Sequence, residues 1–133
     1  MTPEKVEHFC TLSLENLSLS YVDMYMIQLP VGMRYKNDEE LLVKNPDGNL
    51  AMDCGTDLVA IWKAMENLVE KGFTKNIGIC NFNQTQIEKL LESANIPPAN
   101  LQIEVHPYFQ QRELRIFCKS HNITVTAICP LGG

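Results

Sequence analysis

Residues Lys75 to Asn83 read KNIGICNFN. Ile77 to Ile79 form a short apolar run with one glycine, and the run ends in a polar tip at Cys80-Asn81. Gln84 to Leu91 then read as a helix. A fully buried parallel strand, a loop and a helix have this signature. Polar side chains at the carboxyl end of such a strand stand where α/β folds collect their ligands. The same strand-then-helix pattern recurs on both sides, so the chain is organised as repeated units around this one.

Upstream, Thr2-Pro3-Glu4 reads as a helix start, with a capping Thr, a proline in the first helical position and an acid near the positive end. The helix runs to about Leu17. Tyr21 to Leu29 is apolar apart from Asp23 and Gln28 and reads as a buried strand, stopped by Pro30. Val31 to Thr56 is long and polar, with Asp38-Glu39-Glu40 and the turn Asn45-Pro46-Asp47-Gly48. It reads as a loop on the carboxyl-end face, and loops of that length are usually functional or mobile. Asp57 to Lys71 is a helix with Leu58, Ile61, Trp62, Met65, Leu68 and Val69 on one face and Gly72 as its C-terminal cap.

Downstream of the strand Asn76–Ile79 and the helix Gln84–Ser93, Ile96-Pro97-Pro98 is a connector. Asn100 to Val105 reads as a strand ending at His106-Pro107-Tyr108, Gln111 to Ser120 as a helix, and Ile123 to Cys129 as a strand. Four helices therefore alternate with four strands. The expected fold is α/β, all strands parallel and joined by right-handed crossovers.

The 133 residues suffice for one domain. The net charge is −5 with scattered Lys and Arg, which argues against a nucleic-acid footprint. No apolar run approaches the roughly 20 residues of a membrane span, and a polar N-terminus with Glu4, Glu7 and His8 is unlike a signal peptide. The five cysteines are odd in number and form no C-x-x-C pair. They read as reduced thiols in a cytoplasmic protein, and the sequons at Asn16, Asn83 and Asn122 as chance matches. No His, Cys, Asp or Glu spacing resembles a metal site.

Several blocks together resemble the aldo-keto reductases: Tyr21-Val22-Asp23-Met24-Tyr25, Ile61-Trp62-Lys63-Ala64-Met65-Glu66, Ile77-Gly78-Ile79-Cys80-Asn81-Phe82, Gln102-Ile103-Glu104-Val105-His106-Pro107-Tyr108 and Ala127-Ile128-Cys129-Pro130-Leu131-Gly132. They occur in the family's order and spacing over nearly the whole chain. The resemblance implies a (β/α)8 barrel that reduces small aldehydes and ketones with NADPH. It covers the third helix through the seventh strand, so residues 1–133 are expected to form a single partial TIM barrel. The family's catalytic Asp, Tyr and Lys lie in strands outside that span, and so does the segment that binds the adenosine 2′-phosphate.

The resemblance assigns the candidate site. Gln28 stands where the family has its catalytic His; it can hydrogen-bond a carbonyl oxygen but cannot titrate, so an inactive position is expected. The alternative is a polar residue that merely ends a strand. Leu29 replaces the family's usual aromatic neighbour. Asn81 and Gln102 match the residues that hydrogen-bond the nicotinamide carboxamide of NADP(H), and Cys80 stands where the family has Ser. The structural alternative is that both amides satisfy backbone groups at strand ends. Ile128 stands at the Tyr that stacks on the nicotinamide ring, and an aliphatic side chain loses that stacking. Leu131 matches a residue near the pyrophosphate. His106 belongs to a block that is structural in the family.

Two functional classes follow: a truncated NADPH-dependent oxidoreductase that lacks standard catalysis, or a degenerate, non-catalytic binding or interaction protein. Cofactor binding is expected to be weak or lost. A half barrel also leaves two open edges and an uncovered sheet face, which allows self-association.

Overall fold

The computed structural model describes residues 2–37 and 43–132. Its elements run α1 (Pro3–Leu17), β1 (Val22–Ile27), β2 (Gly32–Met33), β3 (Met52–Asp53), α2 (Leu58–Glu70), β4 (Thr74–Cys80), α3 (Gln84–Leu91), β5 (Asn100–Glu104), α4 (Arg112–Ser120) and β6 (Thr124–Ile128). The four long strands form one parallel sheet in the order β1-β4-β5-β6. Four parallel strands alternating with four helices are the partial barrel expected from the sequence.

Alternation along each strand separates two faces. Tyr25, Ile27, Ile77, Ile79, Leu101, Ile103 and Val125 point toward the helices and pack with Val6, Cys10, Trp62, Met65, Leu68, Ile87, Leu90 and Cys118. The opposite face carries Met24 and Met26, Asn76 and Gly78, Asn100 and Gln102, and Thr124 and Thr126, aligned by the register. That face is more polar than an uncovered apolar sheet would be. Asn100 Nδ2 donates to both Thr124 Oγ1, at 2.8 Å, and Thr126 Oγ1, at 2.9 Å. Gly78 lies beneath the two methionines. A Cβ there would sit 2.9 Å from the Asn100 carbonyl and 3.0 Å from Met26 Cε, so only glycine fits without displacement.

Local chemistry sets the element ends. Asp57 caps α2, its carboxylate accepting from the N–H groups of Val59 and Ala60. Gly72 adopts φ +75, its N–H donating to Val69 and the following Phe73 N–H to Leu68, which is a Schellman closure. Asn83 and Gln86 form a reciprocal capping box on α3. At α1, Thr2 occupies the cap position but its side chain makes no capping bond; the first turn closes instead through Lys5 N–H to the Thr2 carbonyl.

Two internal ties fix α2 to the connector before β5. Buried Glu66 accepts from the N–H groups of Asn95, at 2.7 Å, and Ile96, at 2.8 Å, through one carboxylate oxygen. Trp62, 1% exposed, donates its Nε1–H to the Ile96 carbonyl at 2.9 Å.

The stretch from Val31 to Thr56 is not structureless, as its polarity suggested. Gly32–Met33 and Met52–Asp53 pair as a short antiparallel ribbon, extended by the isolated bridge Lys44–Leu50. Asp47 stabilises the tip by accepting from the Asn49 backbone. Tyr35 seats the ribbon on α1: its ring lies 6.0 Å from Phe9, and Lys5 Nζ is 3.8 Å above it. Asp38, Glu39 and Glu40 lie outside the described residues.

Candidate functional site

The parallel register brings the carboxyl ends of β1, β4 and β5 side by side. Ile27 is level with Ile79, and Cys80 with Gln102. Gln28, Cys80, Asn81 and Gln102, from the ends of three strands, thereby share one rim.

Asn81 leaves the strand in the left-handed region, φ +61, a conformation that Asn tolerates better than most residues. Its N–H donates to the Gln102 carbonyl at 3.0 Å, and its Nδ2 to the Gln28 main-chain carbonyl at 3.2 Å. One asparagine therefore clips three strand ends together. Because only the amide nitrogen can donate to a carbonyl, the side-chain oxygen faces away from that bond. The Cys80 thiol lies 3.4 Å from Gln102 Oε1, to which it donates. This commits the oxygen of the second amide and leaves its NH2 outside that bond. Burial raises the Cys80 pKa, keeping the sulfur protonated and a donor.

These two bonds leave Asn81 Oδ1 as an acceptor and Gln102 Nε2 as a donor. A primary carboxamide carries the complementary pair, a carbonyl oxygen and an NH2. Each amide has one atom engaged in bonding between strand ends.

The other predicted site residues are less well gathered. Ile128 ends β6 level with Glu104, on the same sheet face as Gln102 and half-buried. Its aliphatic side chain offers a ring no π surface. Leu131 is 97% exposed in the terminal turn and packs on nothing at the rim. The Gln28 side chain is exposed and, being an amide, cannot supply a proton by titration. His106 stands apart: its Nδ1 accepts from Tyr108 N–H at 3.3 Å and its Nε2 faces Glu104 at 3.1 Å. Both ring nitrogens serve the turn after β5.

A cavity of about 600 Å³ opens beside Gln28. It runs along β1 between α1, α2 and the ribbon, with Phe9, Tyr25, Ile27, Met33, Arg34 and Tyr35 among its walls. Burial pushes the Tyr25 hydroxyl pKa up. The contributions of Met33, Arg34 and Tyr35 were hidden inside an apparently polar loop. The alternating Met33 and Tyr35 around Arg34 were the available signal.

The model of the aldo/keto reductase family matches residues 1–133. The chain belongs to that family. Among curated relatives, aldo-keto reductase family 1 member A1 of Gallus gallus is 45% identical over 98% of this chain, and that of Xenopus tropicalis 41%. The aldose reductase of Schistosoma japonicum superposes with a TM-score of 0.88 at 42% identity, over 94% of this chain. That of Giardia lamblia superposes with a TM-score of 0.92 at 33% identity, over 98%. This aldo-keto reductase chain spans 39% of the length of both member A1 relatives and 40% and 42% of the two structures. Among the described residues, no helix is long and apolar enough to cross a membrane.

Proposed function

We propose that this chain carries the carboxamide-recognising rim of an NADPH-dependent carbonyl reductase, with at Gln28 a residue that cannot deliver a proton. NADPH supplies hydride when bound. This chain's residues would orient the nicotinamide: Asn81 would accept from the carboxamide NH2 and Gln102 would donate to its oxygen. The observation that carries the reading is the pre-set amide pair, with Asn81 Nδ2 committed to the Gln28 carbonyl and Gln102 Oε1 to the Cys80 thiol. Gln28 can hold a carbonyl oxygen but cannot titrate, which removes a contribution of roughly 10²–10⁴-fold in rate. Ile128 in place of a stacking aromatic forgoes about 0.5–1.5 kcal/mol of ring interaction. Small aldehydes and ketones are the substrate class of the reading, with the compartment cytoplasmic.

Titration with nicotinamide followed by side-chain amide NMR tests the rim. Shifts confined to the Asn81 and Gln102 amide groups, abolished in Asn81→Ala, are expected at millimolar ligand. NADPH should bind only weakly. Low-micromolar NADPH binding would mean that ring and phosphate contacts survive. No amide shift with nicotinamide would remove the carboxamide assignment.

The second reading is a non-catalytic binding or interaction protein. Gln28, Leu29 and Ile128 favour it, because all three depart from the family pattern at the strand tips. The nicotinamide titration separates the two readings, since only the first expects the Asn81 and Gln102 amides to shift.

A further inference from the structure

Cys80 ends β4 and Gln102 lies in β5, the two interior strands of the sheet. Each has a paired neighbour on both sides, β1 and β5 for β4, and β4 and β6 for β5. The geometry between them is therefore set within the sheet and not at its edges. The two residues are level in the register. Cys80 is 1% exposed, and its sulfur lies 3.4 Å from Gln102 Oε1.

We propose that Cys80 is a positioning residue: its thiol holds the Gln102 oxygen, so that Gln102 meets a ligand only as a donor and the rim selects a ligand that brings it a carbonyl oxygen. The ligand half of this rests on the carboxamide reading given above. The hold on Gln102 does not.

Burial is the first argument. So enclosed a side chain offers a ligand almost no surface, and its influence on one runs through Gln102.

The chemistry of the pair is the second. An amide side chain can turn either end to a neighbour, and what the neighbour offers decides which. Sulfur is a weak acceptor and a carbonyl oxygen a good one, so S–H to Oε1 is favoured over N–H to sulfur. Burial raises the Cys80 pKa, so the proton that makes this bond stays on sulfur.

The surrounding amides are the third. Asn100, two residues below Gln102 and on the same face of β5, gives both its side-chain protons to Thr124 and Thr126. It has none to spare for Gln102 Oε1, which leaves that oxygen to the thiol. Asn81 is set the opposite way, its Nδ2 given to the Gln28 carbonyl. The rim pair thus carries one acceptor and one donor, and Cys80 decides which of the two Gln102 is.

The test follows the Gln102 side-chain amide by NMR relaxation in the 133-residue chain. In the free protein it is expected to be ordered in the parent and in Cys80→Ser, which keeps a donor in place. It should be mobile in Cys80→Ala and in Cys80→Val, the second of which fills the space without a donor. The Asn81 amide should be unchanged in all of them. Nicotinamide and 3-acetylpyridine, which has the carbonyl but no NH2, should both shift the Gln102 amide of the parent. Both should bind about threefold more weakly to Cys80→Ala, a loss at the low end for one neutral hydrogen bond. An amine without a carbonyl, 3-picolylamine, should leave Gln102 unmoved. A Gln102 amide as ordered in Cys80→Ala and Cys80→Val as in the parent overturns the proposal. So does a Gln102 shift with 3-picolylamine equal to that with nicotinamide. Gln102 freed by Cys80→Ala in a chain whose amides ignore nicotinamide supports the hold and removes the carboxamide reading instead, so the two fail separately.

Discussion

Replacing Glu66 with leucine should destabilise the chain by about 2–2.5 kcal/mol. One Glu66 oxygen accepts from two backbone donors, Asn95 N–H and Ile96 N–H. Hydrogen bonds to charged groups contribute roughly 1.5–3 kcal/mol each. The low end applies to both, because Asn95 is exposed and Ile96 half-buried, so water can reach the freed donors. That gives about 3 kcal/mol, less a gain of about 0.5–1 kcal/mol from burying the leucine methyls, a net of about 2–2.5 kcal/mol. Glu66→Gln keeps a neutral acceptor in place and should lose only about 1 kcal/mol. In a chain of this size 1 kcal/mol moves the melting point by about 3–4 °C. Calorimetry should therefore place Glu66→Leu about 6–10 °C below the parent, with Glu66→Gln between. Trp62→Phe removes the second tie to the same connector and should couple to Glu66→Leu by at least about 0.5 kcal/mol in a double-mutant cycle. A Glu66→Leu variant that melts with the parent, or strict additivity with Trp62→Phe, would refute the idea that these residues jointly hold the Asn95-Ile96 turn.

The purified chain is expected to show no NADPH-dependent turnover across a panel of aldehydes and ketones; activity that disappears in Gln28→Ala would contradict the loss of standard catalysis. Cys54 and Cys129 are exposed, whereas Cys10, Cys80 and Cys118 are buried and their pKa values are raised by that burial. A thiol reagent should accordingly modify two cysteines quickly and three only on unfolding. Raised folded-state values make the linkage one-sided: stability is complete below the unfolded thiol pKa of about 8.5 and falls as pH rises above it. Denaturant midpoints measured from pH 7 to 10 should decline only in the upper half of that range. Gly78→Ala should cost about 1–3 kcal/mol from overpacking against the Asn100 carbonyl and Met26, read as a lower urea midpoint at unchanged slope.

The order of elements was legible because each carries a local signal. Trp62, Met65 and Leu68 repeat at helical spacing, and Ile77 to Ile79 form a run too short for anything but a strand. The family and the positions of Asn81 and Gln102 were legible from blocks of residues. Two things were not. The ribbon at Gly32–Met33 and Met52–Asp53 depends on pairing across a long separation, with only two residues per strand, so it leaves almost no local pattern. The orientation of the rim amides depends on partners in other strands, Gln28 for Asn81 and Cys80 for Gln102, and no periodicity encodes such a choice.

The register of the sheet also orders its assembly. Cys80 meets Gln102 and Asn100 meets Thr124, each closing a segment of about 20–25 residues that contains one helix. Val22 meets Thr74 only after about 50 residues, the ribbon included, have been gathered in. Doubling a closed loop costs only about 0.6 kcal/mol, but contacts between distant residues form more slowly than near ones. The segment from β4 to β6 is consequently expected to form first, and β1 to join it later with α1 attached. The rim forms in the same sequence. On that order Cys80 and Gln102 would meet first, and the Asn81 clasp on Gln28 would close only when β1 docks.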